Sequence, residues 1–264
     1  RRLGVQKPMH KSYAGYLIDL DGTMYKGKEK IDEAADFVQR LRQADIPFLF
    51  LTNNSTSHPA DVVKTLNAVS DVEAYAEEVF TSTLATVSYL KKEKLNRIFV
   101  IGEGGLIDAL TDNDFEIADE EVEAVVIGLD RQVTYSDLET ATLLIQNGAK
   151  FIATNPDTNL PTERGLVPGN GALISFLETS THQKATVIGK PEAIIMDAAI
   201  EQIGLQKDEV LMAGDNYTTD IQAGIRNGVD TLLVLTGFTS KEDLTGLPTP
   251  ATHVVETLAD WEIR

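Results

Sequence analysis

A parallel-sheet α/β fold is predicted for this 264-residue sequence, and three observations predict it. Short apolar runs of strand length alternate with amphipathic helical patterns, the order expected when helices cover a parallel sheet. Runs such as Tyr16-Leu17-Ile18 and Leu232-Leu233-Val234 are apolar on consecutive residues, as strands buried on both faces are. Two segments, Pro47–Asn54 and Lys150–Pro156, also look alike, each following an amphipathic helix, and read as shared βα architecture.

Taken in order, the strand-like runs cover residues 15–20, 46–51, 97–101, 122–128, 151–153, 186–188, 210–213, 231–235 and 253–255. Helical spacing appears in Ile31, Ala34, Ala35, Val38 and Leu41, and again in Ile195, Ala199 and Ile203. The stretch 112–123 is strongly acidic, and a fresh strand-helix unit begins at 131–150, which marks off a middle section. Residue 1 is Arg and Met9 stands at a natural start, so residues 1–8 are expected to be an added leader. They are left out of the fold reasoning.

Composition narrows the function classes. Hydrophobic residues are 42% and charged residues 24%, an ordinary balance for a globular chain long enough to bury a sizeable core. A net charge of -18 argues against nucleic-acid and anionic-membrane partners, which are held by clustered Lys and Arg. With no cysteine, disulfides, thiolate catalysis and zinc-thiolate sites are excluded. Four scattered histidines, at 10, 58, 182 and 253, do not make a His-rich metal site. No apolar run approaches the ~20 residues of a membrane span, and no signal-peptide core opens the chain, so a cytoplasmic protein is expected.

Four blocks carry chemistry, each just after an apolar run. In Tyr16–Met24 a strand leads into Asp19 and Asp21, then Gly22 and Thr23. Ligand sites of open parallel sheets lie at such strand ends. Positions i and i+2 share a side of an extended chain, so two carboxylates there call for a cation or a shared proton. A bare Asp-Gly turn is the plain alternative. In Leu51–Ser55, Thr52, Ser55 and the turn's N–H groups suit phosphate oxygens, although an Asn-rich turn is by itself the better explanation of the block. In Ile188–Pro191, Lys190 is either a solvated surface residue or a point charge against a phosphoryl group, and Pro191 is placed at the first helical position. In Leu211–Ile221, Asp215 is placed to ligate a hard cation, and Asp220 lies near a helix start, where capping alone would account for it. Parallel strands bring all four blocks to one edge, and that conjunction outweighs the four separate plain readings.

Together these blocks resemble the motifs of the haloacid dehalogenase superfamily, in its type IIA branch of bacterial sugar-phosphate, nucleotide and p-nitrophenyl phosphatases. The likeness runs over 13–264 and includes Pro161–Gly171 (PTERGLVPGNG), with no departure at a catalytic position. It implies a Rossmann-like parallel-sheet core with helices on both faces and a large inserted α/β cap. The implied domains are core at 1–80, cap at 81–180 and core again at 181–264.

The resemblance further implies a magnesium-dependent phosphatase acting on a small phosphorylated metabolite. Asp19 is the expected nucleophile, forming an aspartyl-phosphate, and Asp21 the expected acid/base. Mg2+ is expected on the Asp19 carboxylate, the Asp21 carbonyl and Asp215, with Asp220 supporting them from behind. Thr52, Asn53, Asn54 and Lys190 are expected at the phosphoryl oxygens, and Asn155, Asp157 and Arg164 in the cap as substrate contacts. A cap face is an expected surface for a homodimer. Rival readings are a phosphotransferase or mutase with the same intermediate, a phosphoryl-receiver signalling domain, and a non-catalytic binding protein. The receiver reading lacks an acid two residues after the nucleophile, and a scaffold would have lost a catalytic residue.

Overall fold

The structure, a computed structural model, describes residues 10–264; the expected leader at residues 1–8 lies outside the described residues. The chain opens with β1 (Gly15–Ile18), a small hairpin of β2 (Tyr25–Lys26) and β3 (Glu29–Lys30), helix α1 (Glu33–Gln43) and β4 (Phe48–Thr52). Helix α2 (Pro59–Ser70), β5 (Val79–Thr81) and α3 (Ser82–Lys92) follow. The middle section holds β6 (Arg97–Ile101), α4 (Gly104–Asp112), β7 (Glu116–Ile117), β8 (Ala124–Ile127), α5 (Tyr135–Gln146) and β9 (Lys150–Ala153). Next come the hairpin β10 (Asn159–Thr162) and β11 (Gly165–Pro168), α6 (Asn170–Thr181) and β12 (Thr186–Val187). The chain ends with α7 (Ala193–Ile203), β13 (Val210–Gly214), α8 (Gln222–Asn227), β14 (Asp230–Val234) and β15 (His253–Val255).

Among the described residues eleven of these strands form two large sheets, and the other four form the two hairpins. The first has the order β15-β14-β13-β1-β4-β5 and is parallel throughout. The second, β12-β9-β8-β6-β7, is also parallel, and all its strands lie in sequence between β5 and β13. The expected fold class therefore holds: a parallel-sheet core with a large α/β insertion.

Alternation along each central strand explains the uninterrupted apolar runs. Tyr16 and Ile18 of β1, Phe48 and Phe50 of β4 and Leu211 of β13 enter one cluster with Phe37 and Leu41 of α1. Leu17, Leu49, Leu51 and Met212 enter another, on the opposite face, with α3 and α7. That second cluster continues into the inserted sheet through Leu106, Leu110, Val126 and Ile152, so one apolar layer joins the two sheets. Each fully buried side chain of this size contributes about 1.5–3 kcal/mol. Helix α1 buries Ala34, Phe37, Val38 and Leu41 at the predicted spacing, and its acidic first turn and basic last turn suit the helix dipole.

Some elements depart from the sequence reading. Strand β5 completes the core sheet's edge, and β7 and both hairpins were unforeseen. Segments of two to four residues are too short to display a period. Pro191 is not at the first helical position: α7 starts at Ala193 with Glu192 as its cap. Among the described residues no helix is long and apolar enough to cross a membrane.

Candidate active site

Strand β1 lies between β4, reached by continuing the chain, and β13, reached only after the insertion. Such a reversal of direction opens a crevice at the carboxyl ends of the strands. The blocks read from the sequence converge there. Asp19 follows β1, Thr52 ends β4, and Asp215 follows β13.

Lys190 is the centre of the cluster. Its side chain is 2% exposed, and its Nζ donates to Asp19 Oδ1 at 2.9 Å, Asp220 Oδ1 at 2.7 Å and the Leu51 carbonyl at 3.0 Å. Those three acceptors use the three donors of an ammonium. The reading of Lys190 as a solvated surface residue is therefore excluded. Asp220, 1% exposed, also accepts the Asn216 N–H on Oδ2 at 3.1 Å. The local cap is Asn216 instead, whose Oδ1 accepts the Thr218 N–H at 2.9 Å, so Asp220 is left to pair with Lys190. The intervening turn, Tyr217–Ile221, is π-helical, a form often seen at functional sites.

Asp215 is held from two loops. Its Oδ2 accepts the Phe238 N–H at 2.8 Å, and its carbonyl accepts the Thr239 N–H at 3.0 Å. A Cβ at Gly22 would lie 2.1 Å from that Oδ2 and one at Gly237 would lie 2.0 Å from it. Gly22 in addition has φ +88, in the left-handed region, so two separate constraints require glycine there. Buried Thr23 reaches Asp19 Oδ2 and Asp215 Oδ1, each at 3.4 Å. Thr23 and the Gly237-Phe238 turn went unassigned in the sequence; the available signal was that the turn, too, follows a strand end.

Asp19, Asp215 and Asp220 offer oxygens within 4.8 Å of one another. Three carboxylates against one ammonium leave two uncompensated negative charges in a buried pocket, the charge of one divalent cation. Hard carboxylate oxygens with glycine-cleared space around them fit such an ion. The titration behaviour has the same origin. Burial, opposed by Lys190 and reinforced by Asp215, pushes Asp19 up to about 7. Burial and the neighbouring Asp19 charge push Asp220 up to about 7. Burial and Asp220 raise Asp215. For Lys190, burial alone would lower the value, but Asp19 and Asp220 outweigh it and hold the ammonium charged.

The remaining expected residues divide. Asp21 is exposed, on the segment leading to the β2–β3 hairpin, and accepts the Gly27 N–H at 3.0 Å. Thr52 Oγ1 accepts the Asn54 N–H at 3.1 Å, and Asn54 Oδ1 takes the N–H and hydroxyl of Thr56. Among the described residues Ser55 Oγ is buried without a hydrogen-bond partner. A Cβ at Gly128 of the insertion would lie 3.1 Å from it. Asn53 accepts the Lys190 N–H on Oδ1 at 2.8 Å and donates Nδ2 to the Lys190 carbonyl at 2.9 Å and to Asp157 Oδ2 at 3.1 Å. Asn155, 7% exposed, donates to the same Asp157 oxygen at 2.6 Å. Arg164 sits exposed in the β10–β11 turn, and its guanidinium makes no ion pair among the described residues.

Comparison with known proteins gives the family. The family described as haloacid dehalogenase-like hydrolase matches residues 16–116, and a further HAD-hydrolase-like family matches 187–261. The chain is 47% identical to the 5'-nucleotidase YutF of Bacillus subtilis, over 95% of this chain and 98% of that protein. It is 49% identical to an acid sugar phosphatase of Staphylococcus epidermidis, over 92% of this chain and 94% of that one. A crystal structure of a double mutant of the thermostable NPPase of Geobacillus stearothermophilus superposes with a TM-score of 0.90 at 49% identity, covering 96% of this chain and 99% of that chain. A buried lysine between two aspartates at the switch point of a parallel sheet, and relatives of this closeness over nearly the whole chain, make it a phosphomonoester hydrolase of the haloacid dehalogenase-like family, in the type IIA branch.

Proposed function

We propose that the chain is a magnesium-dependent phosphatase of small phosphomonoesters that works through an aspartyl-phosphate on Asp19. The observation that carries this reading is the Lys190 ammonium, fixed 2.9 Å from Asp19 Oδ1 and pointed there by Asp220 and the Leu51 carbonyl. It places one positive charge against the atom that meets the phosphoryl group.

In the first step an Asp19 oxygen forms a bond to phosphorus as the ester P–O bond breaks. Asp21 gives its proton to the departing alkoxide and is left as a carboxylate. In the second step that carboxylate takes a proton from water, whose oxygen bonds to phosphorus while the Asp19–phosphorus bond breaks. Inorganic phosphate leaves, and Asp19 and Asp21 return to their starting states. One residue serves both steps because the first leaves it charged for the second. The exposure of Asp21 suits an acid that must reach both a leaving group and water.

Thr52 binds the transferring oxygens through its hydroxyl and Lys190 stabilises them by its charge, its three donors being held by Asp19, Asp220 and the Leu51 carbonyl, with Asn53 and Asn54 contributing through the turn after β4. Asp19, Asp215 and the Asp21 carbonyl would hold Mg2+, with Asp220 behind them. When bound, the ion would offset the site's two excess negative charges and so let a phosphoryl group enter. The Lys190 ammonium favours the ionised form of Asp19, the form that attacks phosphorus.

The substrate class is a small phosphorylated metabolite: a 5'-nucleotidase and an acid sugar phosphatase are among the relatives. Phosphate release from p-nitrophenyl phosphate, nucleoside monophosphates and sugar phosphates, with and without Mg2+, tests the reading. Undiminished release by Asp19→Asn would sink it.

A further inference from the structure

We infer that Asp157, on the loop after β9 of the inserted sheet, is a positioning residue for Lys190 and acts through the Asn53 amide. The inference rests on the reading of Lys190 and Asp19 as catalytic partners. It replaces the expectation that Asp157 contacts substrate.

The Asn53 side chain is placed between two others. Toward Lys190 it makes a two-point contact with the main chain, accepting the N–H at 2.8 Å and donating to the carbonyl at 2.9 Å. Its remaining donor goes to Asp157 Oδ2 at 3.1 Å. An asparagine amide can rotate end for end, and only one orientation matches both Lys190 groups. Asp157 selects that orientation, because a carboxylate accepts and never donates. With the flipped amide, Oδ1 would face Asp157 Oδ2 and the Lys190 carbonyl, acceptor against acceptor.

Asp157 is itself fixed. Asn155 donates to the same Oδ2 at 2.6 Å. The Asp157 carbonyl accepts the Gly171 N–H at 2.8 Å, and the Asn155 carbonyl accepts the Asn170 amide at 2.9 Å. A Cβ at Gly169 would lie 2.3 Å from the Asp157 carbonyl oxygen, and one at Gly171 would lie 2.3 Å from that of Pro156. This gives the Pro161–Gly171 run a physical role: its last glycines let α6 begin against the loop that carries Asp157. The chain of contacts thus runs from the insertion, through the loop after β4, to the ammonium 2.9 Å from Asp19. Alignment of Lys190 is thereby coupled to the seating of the insertion on the core, and errors of ~1 Å in such alignment cost about a hundredfold in rate.

Both donors to Asp157 use one oxygen, so an amide oxygen can replace it. Asp157→Asn is expected to keep kcat within about threefold of the parent, while Asp157→Ala loses about ten- to a hundredfold in kcat with little change in KM. The loss should be equal for p-nitrophenyl and alkyl phosphates, because the leaving group is untouched. Asn53→Asp, which sets two carboxylates face to face, should lose about a hundredfold or more, and adding Asp157→Asn should restore at least about tenfold. Equal loss in Asp157→Asn and Asp157→Ala, or a loss that falls on KM or depends on the leaving group, would assign Asp157 to the substrate and overturn the inference. Failure of the second substitution to improve a folded Asn53→Asp would also overturn it. Should Asn53→Asp not fold, the Asp157 pair decides alone. Asp19→Asn assayed alongside separates the two levels: an active Asp19→Asn removes the catalytic reading, whereas an inactive one with unaffected Asp157→Ala removes only the positioning role.

Discussion

Lys190 and Asp220, thirty residues apart in the chain, form a 2.7 Å ion pair with side chains 2% and 1% exposed. Two charges that deep are tenable only as part of a larger balance, since breaking a buried pair from one side costs about 3–5 kcal/mol. Lys190→Met leaves Asp19, Asp215 and Asp220 together without their cation. It should lower kcat by about a thousandfold and destabilise the metal-free protein by about 3 kcal/mol or more at pH 8. Steady-state kinetics and denaturant unfolding measure both. A stable, active Lys190→Met would contradict the role given to the ammonium.

Asp19→Asn should abolish turnover by several orders of magnitude, and acid-quenched enzyme should carry no phosphoryl group. Asp21→Asn should still form the phosphoryl-enzyme, more slowly. Its loss, about a hundredfold or more on alkyl phosphates, should be smaller on p-nitrophenyl phosphate, whose leaving group needs little protonation. Equal loss on both ester classes would count against Asp21 as the acid.

The raised carboxylates set a pH dependence whose sign is opposite to that of an ordinary salt bridge. Asp19 and Asp220 stand at about 7 folded against 3.8 in a free carboxyl, so the unfolded chain ionises first as pH rises. Metal-free stability is therefore highest below that ordinary value and is lost as pH rises from about 4 through about 7. A cation requires the ionised forms, so its binding releases protons and weakens as pH falls below 7. Thermal unfolding with and without Mg2+ at pH 5 and pH 8 should show the larger Mg2+-induced rise in Tm at pH 8. An equal rise at both would refute the linkage.

Gly237→Ala isolates the geometry of the metal site, because its Cβ would stand 2.0 Å from Asp215 Oδ2 while no left-handed φ is involved. Displacing Asp215 should weaken Mg2+ binding by about tenfold or more, a change typical of disturbed ligand orientation. Titration calorimetry is the measurement. Unaltered affinity in a folded variant would mean that Asp215 is not a ligand.

The central strands were legible in the sequence because burial on both faces leaves an uninterrupted apolar run, as in Leu17 and Leu232 on opposite sides of one sheet. Strand β5 and the β10–β11 hairpin were not, since a two- to four-residue pairing has no period to read. Asp19, Thr52, Lys190 and Asp215 could be named from their position after apolar runs. Ser55 could not be sorted from Thr52 the same way: Thr52 ends β4 and Ser55 lies three residues on, and only the fold shows the Ser55 hydroxyl beside Gly128 of the insertion.

What the sequence by itself determined is the set of strand ends and the chemistry carried on each. Those follow from local patterns, a burial period and the punctuation after it. Tertiary structure alone decided how the carried groups neutralise one another. The Lys190 ammonium joins Asp19 and Asp220 across 171 and 30 residues of chain, and the Asn53 amide meets Asp157 across 104. Hydrogen bonds and ion pairs act over about 3 Å of space, whatever their separation in sequence. For that reason the link from Asp157 through the Asn53 amide to the Lys190 main chain could not be read from the chain.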